Sequence, residues 1–572
     1  MLCLETHITA RPERTEADKR GISMKVFQPK ITTALKGYKK EQIIKDIVAG
    51  IIVAIIALPL SIALAIASGA NPEQGLYTAI VAGFIIALMG GSRVNISGPT
   101  AAFATIVAGI IAAYGMSGLA LATIMAGVIL ILMGLFKFGS LIKYIPYTIT
   151  TGFTAGIAVT IAVGQVKDFL GLSYPDGTKN VETIDKAVNV VKNISSWNYM
   201  ALLIGLLALA IQIIWPKINK KIPGSLVAVI VGVLIVKLAN LKVNTIGDLY
   251  SISRSLPKFT VPSFSFELVK ELIPSAFTIA ILAGIESLLS CVVSDGMIGS
   301  HHNSNTELIA QGTGNIASAL FGGIPATGAI ARTAANVKNG GRSPIAGMVH
   351  SVTLLLILVV LMPYASWIPM PVIASILFMV AYNMSEWRHF RDICKTAPKS
   401  DILVLLLTFG LTVAFDLVVA IEVGMVLAAF LFLKRMTEVT EVRNWTYIAE
   451  DEKQTDEMHG LKPVPKGVSV YEINGPMFFA VADRFAHITL NDSDKVVIIR
   501  MRNVPAMDLT ALRNLTNICT AFKKAEKTVL LSHVNEQPMS VMKKAGFDRL
   551  IGTENFLPNI DAALARAEEL VK

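Results

Sequence analysis

Apolar residues recur from Ile47 to Leu433 in runs separated by brief polar connections. The longer runs are 47–67, 76–89, 119–136, 149–166, 200–215, 226–238, 277–293, 345–362, 372–382, 402–415 and 417–433. Shorter, glycine-rich runs occupy 101–113, 308–321 and 329–337. A helix needs about 20 apolar residues to cross a bilayer, and fewer where it is broken or packed inside protein. The pattern therefore predicts an α-helical membrane protein of about fourteen transmembrane segments. An even number leaves both termini on one side. Lys36, Lys39, Lys40 and Lys45 precede the first run, which makes that side the cytoplasm of a plasma (inner) membrane.

Two of the short runs begin with residues that break helices. Ile96 to Gly109 reads ISGPTAAFATIVAG, and Gly322 to Val337 reads GGIPATGAIARTAANV. One such break reads as loosened packing, because Gly and Pro are common in membrane helices. Two breaks in corresponding halves of a chain point to the binding site of an inverted-repeat transporter. A helix start leaves N–H groups unpaired, and its dipole is positive there. Pro99 fits just inside such a start, where its missing N–H costs nothing. Thr100, Ala101, Ala102 and Phe103 then offer backbone donors to an anion, and Thr327, Gly328, Ala329 and Ile330 do the same in the second half. Two such starts facing each other form a positive cradle without a fixed cation.

Beyond about residue 437 the pattern changes. Strand signals at 468–473, 495–501 and 528–532 alternate with helical periodicity at 508–523, 538–545 and 559–570. This predicts a small α/β domain. The expected organisation is a cytoplasmic segment 1–44, a membrane domain 45–436 and a cytoplasmic domain 437–572. Asp508 stands where it caps a helix start. Met477–Phe479 reads as core, with a dimer contact as the alternative.

Composition narrows the function classes. The chain has 572 residues, 53% hydrophobic and 16% charged, against about 25% charged in soluble proteins. Its net charge of +10 resides in the N-terminal segment and in loops, such as Lys217, Lys220 and Lys221 or Arg388 and Arg391. That is topology-setting charge; no aromatic and basic interleaving marks a nucleic-acid groove. Cys3, Cys291, Cys394 and Cys519 form no CxxC pair and imply neither disulfide nor zinc framework. Residues 1–23 lack an apolar core, so no cleavable signal peptide is expected, and Met24 is an alternative start. No nucleotide loop, nucleophile elbow or metal-ligand cluster suggests an enzyme or a cofactor. His301 and His302 in SHHNSN read as a polar loop. Asp416 and Glu422 read as loop or cap charges.

Glu286 lies mid-run in FTIAILAGIESLLSCVV, the lone charge between Glu271 and Asp295. A charge at that depth costs roughly 2.5–3.5 kcal/mol even on lenient insertion scales. It must face the protein interior and carry a role, or stay protonated. Ser290 is four residues on and shares its helix face.

The chain resembles the SulP anion permeases. The resemblance runs from about Lys45 to the C-terminus and rests on LPLSIALAIASG with GLY (58–69, 75–77), SGPTAA (97–102), IESLLS (285–290), ELIAQGTGNI (307–316) and GGIPATGAIARTAANVKNGGRSP (322–344). It implies fourteen segments as two inverted sets of seven, a core domain moving against a gate domain in an elevator-like manner, and a C-terminal STAS domain. It further implies secondary transport of a small anion of the sulfate, bicarbonate or C4-dicarboxylate class, a homodimer and a possible protein partner for the STAS domain. By family position Arg332 lies near the cradle; the alternatives are a structural salt bridge, one of them with Glu286, or a carbonyl cap. Many members carry Gln where Leu60 follows Pro59, which leaves the substrate open. Sodium-using relatives commonly have Asp and Thr where this chain has Glu286 and Ser290, so the expected coupling ion is a proton. The alternatives are a sodium-coupled bicarbonate transporter, an anion exchanger, an anion channel or voltage-sensitive motor, and, more remotely, a nucleobase permease.

Overall fold

The structure, a computed structural model, describes residues 27–35, 38–140, 146–175, 178, 182–219, 222–250, 255–415, 417–444, 464–479 and 494–572. Cys3, Met24, Lys36, Lys220, Lys221 and Asp416 lie outside them. The chain divides into two compact units, Met1–Met425 and Val426–Lys572.

In the first unit the principal helices are α1 (Lys40–Ala67), α2 (Pro72–Met89), α3 (Ala104–Leu135), α4 (Tyr147–Leu170), α5 (Tyr199–Ile218), α6 (Gly224–Leu238) and α7 (Phe266–Ile298). They continue as α8 (Ser304–Leu320), α9 (Ile330–Lys338), α10 (Ile345–Ala365), α11 (Met370–Ser385), α12 (Lys399–Ala414) and α13 (Leu417–Val439), the last running on into the second unit. Helix α3 is two arms joined at Gly115, whose φ of 66° and ψ of −172° break the helix. With its arms taken separately, each of the fourteen apolar runs coincides with a helix. Among the described residues, seven helices are long and apolar enough to cross a membrane by themselves: α1, α2, α3 with its preceding turn, α4, α5, α7 and α10. Large apolar side chains remain exposed on the outer faces, among them Val360, Leu356 and Leu234. In a soluble protein such faces would be aggregation surfaces; in a bilayer they meet lipid.

The sequence explains the local breaks. Asn71 and Gln74 form a reciprocal capping box at the start of α2, with Pro72 in its first turn. Gly171 and Gly299 close α4 and α7 in the left-handed conformation.

Packing sorts the helices into two groups. Helices α1, α2, α3, α7, α8, α9 and α10 pack chiefly on one another, whereas α4, α5, α6, α11 and α12 form a second set. Helices α3 and α8 meet backbone to backbone where Gly127 faces Gly312; a Cβ on Gly127 would lie 2.6 Å from the Gly312 carbonyl oxygen. Such small-residue contacts let membrane helices pack backbone to backbone. Asp46, fully buried, ties the start of α1 to the turn after α9. It accepts from the Ser343 hydroxyl and the Arg342 amide, each at 2.6 Å, and from the Tyr38 hydroxyl.

The second unit is a five-stranded sheet in the order β3 (Glu441–Asn444), β4 (Val468–Asn474), β5 (Val496–Asn503), β6 (Thr528–Ser532), β7 (Phe556–Leu557). The β3–β4 pair is antiparallel and the rest are parallel. Alternation along β5 sends Val497, Ile499 and Met501 to one face, where Leu515 and Phe522 of α14 (Leu509–Lys524) cover them. Val496 and Ile498 go to the other, under Leu564 and Ala567 of α17 (Ile560–Val571). Between these run α15 (Glu536–Lys544) and α16 (Phe547–Ile551). The edge strands β3 and β7 and helix α16 carry no strong pattern and were not foreseen. Asp508 caps α14 as expected, accepting from the Ala511 amide at 2.8 Å. Met477 is core, while Phe479 is about half exposed.

The Gly127–Gly312 contact yields a stability prediction. Gly312→Leu drives a side chain into the backbone of α3, and overpacking of this kind costs about 1–3 kcal/mol. Thermal unfolding of the detergent-purified protein is expected several degrees lower. Gly109→Ala, on the open side of α3 with nothing within 4 Å of the added Cβ, is expected to leave the transition unchanged or slightly raised.

Candidate functional site

The two helix-breaking stretches meet. Ser97–Gly98 forms a two-residue strand, β1, that pairs antiparallel with β2, Thr327–Gly328, in the register Ser97 with Gly328 and Gly98 with Thr327. The Ala329 amide extends the pairing by donating to the Ile96 carbonyl at 2.8 Å. Helical structure begins just beyond each strand. Thr100 is extended, Ala101–Phe103 make a 3-10 turn, and α3 follows. Ala329 is extended and α9 begins at Ile330.

This geometry revises the donors expected in the second half. Thr327 and Gly328 are strand residues, and the Ala329 N–H is spent on Ile96. The amides of Ile330, Ala331 and Arg332 form the first turn of α9 and have no carbonyl four residues back to bond. Pro99 likewise lies one residue before Thr100, ahead of the helical turn rather than inside it.

One cavity of about 1420 Å³ opens in front of both starts. Of the expected site residues, Thr100, Ala101, Gly328, Ala329, Ile330, Arg332 and Glu286 line it. Ala102 and Phe103 are fully buried and are not among its lining residues. Leu60 and Leu64 of α1 and Phe153 of α4 complete the apolar wall near the strands. The cavity continues past Pro216 and Ser225 to Glu386, at the end of the bundle where α1 starts.

Arg332 is nearly fully buried. Its Nη2 donates to the Pro99 carbonyl at 3.0 Å, capping the turn into the first helix start from the second half of the chain. Its Nη1 has no hydrogen-bond partner among the described residues and lies against Gly98, where an added Cβ would come within 2.5 Å. A side chain at 98 would displace the guanidinium from this position. Glu286 is not paired with Arg332 among the described residues. Its Oε2 accepts from the Thr100 hydroxyl at 2.8 Å, so the acid on α7 is bonded to the residue that opens the first helix start.

Ser290 faces elsewhere. Its hydroxyl donates to Asn95 Oδ1 at 2.7 Å and lies 3.1 Å from Thr333 Oγ1. It belongs to a buried polar network behind the strands, centred on Glu307. Glu307 Oε2 accepts from the Gly91 and Ser92 amides at 2.9 and 3.2 Å. Its Oε1 accepts from Asn95 Nδ2 at 2.8 Å, Ser287 Oγ at 3.0 Å and Gln311 Nε2 at 3.1 Å. Gln311 Nε2 also reaches Ser97 Oγ at 3.0 Å. Sequence reasoning missed this network, although a signal exists: Glu307, Gln311 and Asn315 recur every four residues and form a polar stripe on α8.

His302 makes a short pair with Asp295 (2.7 Å) and accepts or donates to Ser304, as a loop residue does. Among the described residues no group of three or more His, Cys, Asp or Glu side chains is placed to hold a metal ion.

The solved structure of the murine Solute Carrier 26 family member A9 (Slc26a9) anion transporter in the inward-facing state superposes with a TM-score of 0.85. The two share 18% identity, with 99% of this chain and 96% of that one covered, and the likeness establishes the fold. YvdB of Bacillus subtilis (strain 168) is 40% identical over 531 residues, 92% of this chain and 98% of that one. The bicarbonate transporter BicA of a Picosynechococcus species is 32% identical over 540 residues, 91% of this chain and 94% of that one. The STAS domain model matches residues 461–563. With the model of the sulfate permease family matching residues 43–408, the chain belongs to that family, as a multi-pass membrane permease with a C-terminal STAS domain.

Proposed function

We propose that the protein is a secondary transporter of a small oxyanion or carboxylate, of the sulfate, bicarbonate or dicarboxylate class, coupled to protons. The observation that carries this reading is the cavity wall itself. Two helix starts, the buried guanidinium of Arg332 and one carboxyl, Glu286, converge there within hydrogen-bonding reach of Thr100 and Pro99. Unpaired amides at helix starts favour an anion. The Arg332 guanidinium adds fixed positive charge beside them; its Nη1, buried against Gly98, has no hydrogen-bond partner among the described residues. The surrounding wall is apolar, which strengthens each of these attractions.

The proton belongs on Glu286. An anion in the cradle repels a carboxylate on the same wall, so anion and proton bind cooperatively and reciprocally. Sodium fits less well. Ser290, the expected second oxygen, is turned toward Asn95 and Thr333 and is not bonded to Glu286. The division of helices into two packed groups supports an elevator-like motion, with α1, α2, α3 and α7–α10 carrying the cradle past α4–α6, α11 and α12. Both termini and the STAS domain are read as cytoplasmic, and the working unit as a homodimer.

Purified protein in liposomes is expected to accumulate labelled sulfate, bicarbonate or a dicarboxylate faster at external pH 6 than at pH 8, equally with and without sodium. Glu286→Gln mimics the protonated carboxyl. It is expected to keep anion exchange across a membrane with no pH gradient, while losing at least about tenfold of pH-driven accumulation, a barrier change of about 1.4 kcal/mol. Sodium-dependent uptake by the wild type, or an undiminished pH response in Glu286→Gln, would overturn the proton reading.

Ala329→Glu tests the cradle separately. A second carboxylate beside the start of α9 occupies the anion position and opposes it electrostatically. Uptake and exchange are both expected to disappear while the variant elutes and unfolds like the wild type. Unchanged transport would place the anion elsewhere.

A further inference from the structure

A second cavity, of about 350 Å³, lies between the two helix groups at the opposite end of the bundle from the start of α1. Its floor is Ile62 of α1, Leu76 of α2 and Met362 of α10, all essentially buried. Its far wall is α6, contributing Ile230 and Leu234, each about half exposed. Helix α6 is thinly attached: Ala228, Gly232 and Val236 are its buried residues, and Gly232 abuts Val372 of α11. The groove is therefore an apolar cleft, open sideways, with one wall from each group.

The rim has a different chemistry. Trp367 and Tyr364 stand there, ring centroids 5.1 Å apart and edge to face. Aromatic residues of this kind sit at headgroup depth in membrane proteins. Lys237, in the last turn of α6, places its Nζ 4.1 Å from the Trp367 ring centroid. One face of the ammonium is thus held by the ring, while its N–H donors have no hydrogen-bond or ion-pair partner among the described residues and can meet an acceptor. The cleft offers an apolar slot below and a fixed cation above.

We propose that this cleft is a site for an anionic phospholipid, one acyl chain lying between α6 and the α1–α10 wall and its phosphate on Lys237. The apolar slot alone would take any acyl chain; the ammonium over Trp367 is what selects negative headgroups. A lysine near a membrane surface favours anionic lipid by about fivefold. The occupant touches both helix groups, so any sliding of one group past the other reshapes its site. Lipid charge is thereby linked to the same motion that transport is proposed to use, although the binding itself does not depend on that proposal.

The test uses the full-length protein with Trp197, Trp215, Trp387 and Trp445 changed to Phe, leaving Trp367 as the reporter. It is reconstituted in phosphatidylcholine vesicles holding a small fraction of brominated-chain lipid. Brominated phosphatidylglycerol is expected to quench Trp367 at about one fifth of the concentration that brominated phosphatidylcholine needs. Lys237→Gln is expected to bring the two lipids level. Leu234→Trp, filling the slot in a variant read by mass spectrometry of co-purified lipid, is expected to remove bound phosphatidylglycerol. As a check independent of the tryptophan substitutions, wild-type protein is expected to co-purify with phosphatidylglycerol that Lys237→Gln loses. Equal quenching by both lipids in the reporter protein, or a preference that survives Lys237→Gln, overturns the assignment.

Discussion

The pairing of Ser97–Gly98 with Thr327–Gly328 is the contact on which the rest of the membrane unit depends. Inside a bilayer no water can satisfy a broken helix, and irregular backbone survives there only when protein or an aqueous cavity supplies its partners. Each break solves half of the other's problem through the short strand pair. Side chains from neighbouring helices supply the remainder. Asn315 bonds both the amide and the carbonyl of Ala326, acting as a substitute strand. Thr78 accepts from the Ile324 amide, Thr333 from the Ile96 amide, and Asn336 donates to the Val94 carbonyl. Four residues leading into the crossing, Val94, Ile96, Ile324 and Ala326, are thus fixed by helices from both halves of the chain.

That arrangement places a charge where none is easy to hold. Glu307 is fully buried and has five neutral donors but no cation among its bonded partners. A buried carboxylate is tolerable when hydrogen bonds replace its hydration. In exchange it draws the α2–β1 connection, α7 and α8 to one point, directly behind the crossed strands. Arg332 does the equivalent in front, with one nitrogen on Pro99 and the other unbonded beside Gly98. The acid and the base sit on separate sides of the crossing and do not cancel each other. Positive potential can therefore remain on the cavity side.

The sequence carried much of this and withheld particular parts. The fourteen apolar runs match helices because span length and polarity are set by the bilayer, a constraint local enough to read without tertiary information. The two Gly/Pro/Thr breaks stood out because they violate that constraint. Their pairing did not, since a two-residue strand has no periodicity to detect. The consequence was a misplaced set of donors: Thr327, Gly328 and Ala329 read as helix-start amides, whereas strand pairing consumes that stretch and the helix starts at Ile330. Glu286 was visible as an isolated charge in an apolar run. Glu307 was passed over because, taken alone, an acid four residues past Asn303 looks like an ordinary first-turn acid; only its recurrence with Gln311 and Asn315 marks it. Ser290 was assigned by helix spacing alone. Its hydroxyl direction is decided by Asn95, which is 195 positions away in sequence.

The link between Thr100 and Glu286 gives the cavity its logic. Thr100 opens the first helix start, and its hydroxyl donates to the carboxyl of Glu286 on α7. In the proposed proton-coupled cycle, an anion settling at the same helix start would compete for that hydroxyl and set a negative charge against the carboxylate it displaces. The carboxyl would then have fewer donors and a repulsive neighbour, and taking up a proton would relieve both. On the same proposal, departure of the anion returns Thr100 to Glu286 and releases the proton. The local exchange asks for no movement larger than the rotation of one hydroxyl, within the helix group that holds both starts. The proton would then offset one unit of the anion's charge before that group moves against its neighbour, which lowers the cost of crossing an apolar barrier.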